Sequence, residues 1–143
     1  MRPFIILVAL AAIMVFTSSC EQEEELTPVN NAKDIILGQW GVSELTKGNH
    51  ILTEEVSGYT FYCTSNGHMS VTGNGKTFDG NWLCMNANSA DTVYRIKVMG
   101  CNFNDILSEC MEDWHLINYD SMYCYFTSHE ASHDKTMTWK RVN

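Results

Sequence analysis

The chain lacks any apolar run long enough to cross a bilayer as a helix. Its longest, Phe4 to Phe16, is about 13 residues, against the roughly 20 that a spanning helix needs. It is poor in cations, with 9 Lys and Arg against 17 Asp and Glu and a net charge of −8. Phosphate binding needs clustered Lys and Arg, so nucleic acid is excluded as a partner class. No G-x-S-x-G, P-loop or dinucleotide fingerprint occurs, and Gly73-Asn74-Gly75 reads as a hairpin turn only. No two cysteines stand at the C-x₂-C spacing of structural zinc sites. The sequence therefore calls for no cofactor and no metal.

What is present begins at the N-terminus. Arg2 is the only charge before Cys20, the apolar run follows it, and Thr17-Ser18-Ser19 are small. This is a secretory signal with n-region, h-region and small-residue cleavage site. A cysteine directly after the small residues resembles a bacterial lipoprotein signal, in which that cysteine becomes the first mature residue and carries the lipid. Thr17 stands where the usual pattern prefers Leu. Lipoproteins of Bacteroidetes accept looser patterns and often carry acidic residues next. Glu21-Gln22-Glu23-Glu24-Glu25 is similar to that export tag, or is a solvated spacer. The resemblance implies a signal peptide at 1–19, an acidic tether at 20–32 and one domain at 33–143. It also implies contact with the membrane through lipid on Cys20, and a place in the cell envelope at the outer membrane. Without Arg2 the mature chain sets eight basic against 17 acidic residues, a charge of about −9.

Five cysteines follow Cys20: Cys63, Cys84, Cys101, Cys110 and Cys124. An odd count leaves at least one thiol free or paired between chains. An exported location permits disulfides. Cys101–Cys110 is the pair whose closure would clip one connection. Cys63 and Cys84 fall in step with neighbouring aromatics and read as small core residues.

From residue 38 the chain reads as eight short strands, about 38–46, 56–65, 69–71, 76–85, 92–99, 113–119, 121–127 and 135–142. Asn66-Gly67 and Asn74-Gly75 read as hairpin turns of one kind. Helical turns are expected near 33–37 and near 104–111, where Asn104 caps Ile106, Leu107 and Cys110. Strands joined by hairpins are antiparallel, and eight of them in sequence order remove their exposed edges by closing. The expected fold is all-β, an eight-stranded antiparallel up-and-down barrel. Trp40, Tyr59, Phe61, Phe78, Trp82, Tyr94, Trp114, Tyr123, Tyr125 and Trp139 fall on the predicted inward phase. They either fill the barrel or line a ligand site.

Gly38-Gln39-Trp40 resembles the G-x-W that opens the first strand of lipocalin-like barrels. In that family the Trp plugs the closed end, and an Arg near the C-terminus packs over it. Arg141 is the counterpart by position, with Lys140 the alternative. The chain is also similar to small lipocalin-like lipoproteins of Bacteroidetes. The matching segments are Gly58-Tyr59-Thr60-Phe61, Asn66-Gly67, Gly80-Asn81-Trp82, Glu112-Asp113-Trp114 and Thr138-Trp139-Lys140. The resemblance implies a barrel signature at Gly38, Trp40, Gly80, Trp82 and Arg141.

His129-Glu130-Ala131-Ser132-His133 matches the H-E-x-x-H of zinc peptidases. That chemistry needs both histidines on one helix face and a third ligand. Strand alternation on both sides leaves no room for a helix, so the segment reads as a solvated loop without catalytic metal. His50, His68 and His115 read as separate surface residues. Glu54-Glu55, Glu109, Glu112 and Asp113 read as a solvated rim. Cys110 and His115 are near in sequence and form a candidate nucleophile pair. No catalytic residue is assigned and no enzyme is expected. Two functions remain in view. One is a barrel whose open end holds a small apolar or amphipathic ligand. The other is a filled barrel that contacts protein or glycan through its loops.

Overall fold

The computed structural model describes residues 34–86 and 94–142. Cys20, the expected signal at 1–19 and the expected tether at 20–32 lie outside the described residues, as do residues 33, 87–93 and 143. A helical turn at 34–36 leads into β1 (Gly38–Lys47). There follow β2 (His50–Ile51), α1 (Thr53–Val56), β3 (Thr60–Cys63), β4 (His68–Gly73), β5 (Lys76–Asn86) and β6 (Tyr94–Gly100). Then come α2 (Asp105–Ser108), β7 (Asp113–Tyr119), β8 (Tyr123–Ser128), a 3₁₀ turn (Ala131–His133) and β9 (Lys135–Arg141).

Every strand pairing is antiparallel, and β1 closes the ring by pairing with both β3 and β9. Trp40 lies opposite Phe61 on one side and Arg141 on the other. The two-residue β2 folds back on the end of β1, Lys47 opposite His50, and stands outside the ring. The barrel proper thus has eight strands in sequence order. Closure satisfies the backbone donors and acceptors of what would otherwise be two bare edges.

The alternation read from sequence selects the buried face on most strands. Trp40, Phe61, Met69, Val71, Trp82, Cys84, Ile96, Val98, Trp114, Leu116 and Trp139 are buried. Bulges at Val42/Glu44 in β1 and at Leu116/Asn118 in β7 shift the phase once each. An extra residue there increases the local twist that a barrel wall needs.

Three expectations are corrected. On β8 the inward residues are Cys124 and Phe126. Tyr123 and Tyr125 lie on the outer wall, stacked on one another at 6.0 Å and half-buried. All four residues of Tyr-Cys-Tyr-Phe tolerate burial, so alternation alone leaves the phase open. Residues 53–56, read as loop and strand start, form a short helix. The two Asn-Gly turns also differ. Asn74 and Gly75 both have positive φ, as a tight two-residue hairpin requires. At 64–67 only Gly67 does. That loop is longer, and Asn66 Oδ1 accepts from the backbone of His68 and from the Thr64 hydroxyl.

Two glycines of the expected signature are explained by close approach. Gly38 has φ of 110°, and a Cβ there would lie 2.8 Å from Arg141 Nη1. A Cβ on Gly80 would lie 2.5 Å from the Met99 carbonyl and 3.0 Å from the Phe103 ring. Phe78 and Tyr94 are partly buried and pack against the edge of the core.

Candidate functional site

The barrel interior is an aromatic core. Trp139 lies 6.0 Å from Trp40, 5.5 Å from Phe61 and 5.1 Å from Phe126 between ring centroids, and Trp114 lies 6.2 Å from Phe126. These are normal spacings for aromatic rings packed in contact. Three tryptophans also tie down connections. Trp40 Nε1 donates to the Ile36 carbonyl at 2.8 Å, Trp82 Nε1 to Thr64 at 3.1 Å, and Trp114 Nε1 to Cys110 at 3.0 Å. Trp139 Nε1 has no hydrogen-bond partner among the described residues. The rings packed around Trp139 are those of Trp40, Phe61 and Phe126.

At one end, the helical turn at 34–36 covers Trp40. Arg141 stacks on the Trp40 ring at 4.1 Å. It donates to Leu37 O at 2.9 Å, Ser121 O at 3.1 Å and Ile35 O at 3.4 Å. Lys140, the sequence alternative, lies 5.9 Å from the Tyr123 ring on the outer wall. A shallow depression of about 380 Å³ beside Arg141 is lined by Asp34, Ile35, Tyr119, Asp120 and Ser121.

The opposite end is covered by α1 and α2, whose Val56 and Leu107 are fully buried. Asn104 caps α2 by accepting from Leu107 N at 2.9 Å. Tyr59, just before β3, holds this end to the wall. Its hydroxyl accepts from Asn104 Nδ2 at 3.1 Å and from Asn74 Nδ2 at 3.2 Å.

A charged network joins α2 to β9 here. Lys135 Nζ lies 3.0 Å from Glu109 Oε2 and 3.3 Å from Glu112 Oε2, and donates to the Glu109 carbonyl at 3.1 Å. Lys47 Nζ meets Glu109 Oε1 at 3.2 Å, and His133 Nδ1 meets Glu112 Oε1 at 2.8 Å. Glu112 and Lys135 are buried, so the expected solvated rim is partly an internal ion-pair network. Burial pulls the Glu109 carboxyl upward, but hydrogen bonds from Lys135 and Lys47 outweigh it and hold it below its ordinary value. Beside the network a cleft of about 520 Å³ runs between the two helices. Leu52 and Ile106 supply its apolar surface, and Lys47, His50, Glu55, Asp105 and Glu109 its polar surface.

The H-E-x-x-H segment places its histidines with different partners. His133 is held by Glu112. His129 Nδ1 lies 2.6 Å from His115 Nε2. His115 is thus one of a pair rather than a lone surface residue. Burial first, then the neighbouring His129 and Arg95, lowers its pKa. Arg95 in turn holds Asp113 in a bidentate pair, with Nε 3.1 Å from Oδ1. Cys110 is buried with its thiol pushed up to about 12, mainly by burial, and His115 faces His129 instead. The two do not form a nucleophile pair. Cys63, Cys84, Cys110 and Cys124 are buried and form no disulfide. A Cys101–Cys110 clip is therefore absent.

No family model matches the chain, and no curated protein matches it in sequence. Among solved structures it is similar to a DUF4847 family protein from Bacteroides vulgatus, with a TM-score of 0.54 and 10% identity. The match covers 78% of this chain and 97% of that one. At that identity the likeness supports the barrel fold and nothing finer.

Proposed function

We propose that this chain is an exported, lipid-anchored barrel of lipocalin-like architecture that works by contact through its far end. The observation that carries this reading is the aromatic core. Trp40, Phe61, Trp114, Phe126 and Trp139 occupy the space in which such a barrel would hold a ligand. The first described residues, Asp34 and Ile35, lie beside Arg141, and the expected tether at 20–32 precedes them. An anchor at Cys20 would then present α1, α2 and the 129–134 loop away from the membrane. Loops on a rigid scaffold are the common place for recognition, and here the partner class is a protein or a glycan. The reading is non-enzymatic.

The α1–α2 cleft favours a second reading. Its volume of about 520 Å³ is in the range of small-molecule sites, and its surface is amphipathic. A small amphipathic molecule would then sit at the mouth of the barrel and not inside it.

Native mass spectrometry of the mature protein, purified with its lipid, separates the two. The contact reading expects polypeptide plus lipid only. A further small molecule, lost in an Ile106→Asp variant, would favour the cleft.

A further inference from the structure

His115 lies on β7. His129 follows β8 and is held beside it, because its backbone N–H donates to the Asp113 carbonyl at 2.7 Å. His115 thus stands on strand backbone, and His129, in the bend after β8, is tied to the start of β7. Their rings are 4.7 Å apart between centroids, and Nε2 of one faces Nδ1 of the other at 2.6 Å. The two nitrogens face one another as a hydrogen-bonded pair in which the tautomer sets which ring donates.

We propose that His115 and His129 form a two-imidazole site on the outer wall for a borderline divalent transition metal such as Zn²⁺, Ni²⁺ or Cu²⁺. Such ions bind imidazole nitrogen at about 2.0–2.1 Å, so a tetrahedral ion holds two nitrogens about 3.3 Å apart. Opening the pair by less than about 1 Å, within reach of side-chain torsions, lets the metal take the place of the proton between the rings, which passes through solvent to the donor ring's other nitrogen. His129 is exposed and His115 half-buried, so an ion can arrive from solvent. The nearby Arg95 charge is offset by its bidentate pair with Asp113. Among the described residues no group of three or more His, Cys, Asp and Glu is placed to hold a metal. The site therefore has two protein ligands and leaves positions for water or for a donor from a partner. It shares His129 with the peptidase-like motif but uses neither Glu130 nor His133, so it carries no peptidase chemistry.

The test is calorimetric titration of the metal-depleted mature chain with NiCl₂ and ZnCl₂, with circular dichroism to check the fold. Wild type should bind one ion saturably. His115→Ala and His129→Ala should each lose that binding, and His133→Ala should keep it. Where an alanine variant fails to fold, His115→Gln or His129→Gln takes its place. Absence of saturable binding in wild type would overturn the proposal. So would equal binding in the His115 variants, which would mark adventitious binding elsewhere. Loss in His133→Ala as well would return the metal to the H-E-x-x-H segment and overturn the pairing.

Discussion

Arg141 lays its guanidinium over the ring of Trp40, 4.1 Å from the centroid, and spends its hydrogen bonds on the backbone of the segment that covers that ring. One side chain joins the last strand, the first strand, the entering chain and the β7–β8 turn. The planar fork matters, because a lysine offers neither the stacking face nor several fixed donors. Gly38 belongs to the same arrangement, since a Cβ there would meet the guanidinium.

Arg141→Ala is expected to cost about 2–4 kcal/mol, from charged hydrogen bonds and the cation–π contact together. Arg141→Lys should recover less than half of that. Urea unfolding followed by tryptophan fluorescence gives both values. Equal stability of wild type and Arg141→Ala would show that the stack is incidental.

Trp40→Ala should cost about 3–5 kcal/mol and leave much of the population of so small a domain unfolded. The residue is fully buried, touches Trp139 and ties down the turn at 34–36. The melting temperature is the check, and an unchanged value would place the ring in solvent.

Glu109 makes stability depend on acid. Its folded pKa lies below the ordinary 4.5, so between those values the unfolded chain binds more protons than the folded one. Stability from this group is complete above the ordinary value and is lost as pH falls through the folded value. Urea midpoints from about pH 6 down to about pH 3 should fall for wild type and fall less steeply for Glu109→Gln. Parallel slopes would remove the Glu109 ion pairs from the account.

Lipidation at Cys20 is expected to place the wild-type protein in the membrane fraction, and Cys20→Ser should release or stall it. Mass spectrometry of the mature N-terminus reads the modification directly. An unmodified Cys20, or an intact bond between residues 19 and 20, would end the anchored reading.

The barrel was legible because period-two alternation and tight turns are local signals. Trp82 and Cys84 in β5, or Ile96 and Val98 in β6, declare their buried face within a few residues. The phase of β8 was not legible, since Tyr123 and Tyr125 look as apolar as Cys124 and Phe126 until the neighbouring strands are in place. The site features were hidden for a different reason. Lys135 meets Glu109 and Glu112, and His115 meets His129, only after the chain closes on itself. No local pattern encodes such partners. His129 was singled out by a motif, but its geometric partner lies 14 residues upstream on β7.

The filled interior is the claim on which the functional reading turns, and ligand titration of tryptophan fluorescence tests it most directly. The mature domain is titrated with dodecanoate and with 1-aminoanthracene, and its melting temperature is followed in parallel. The account predicts no saturable quenching of the buried tryptophans and no rise in melting temperature, because a molecule bound only to the folded state would stabilise it. Stoichiometric quenching with a raised melting temperature, retained in an Ile106→Asp variant that blocks the cleft, would place a ligand inside the barrel and contradict it.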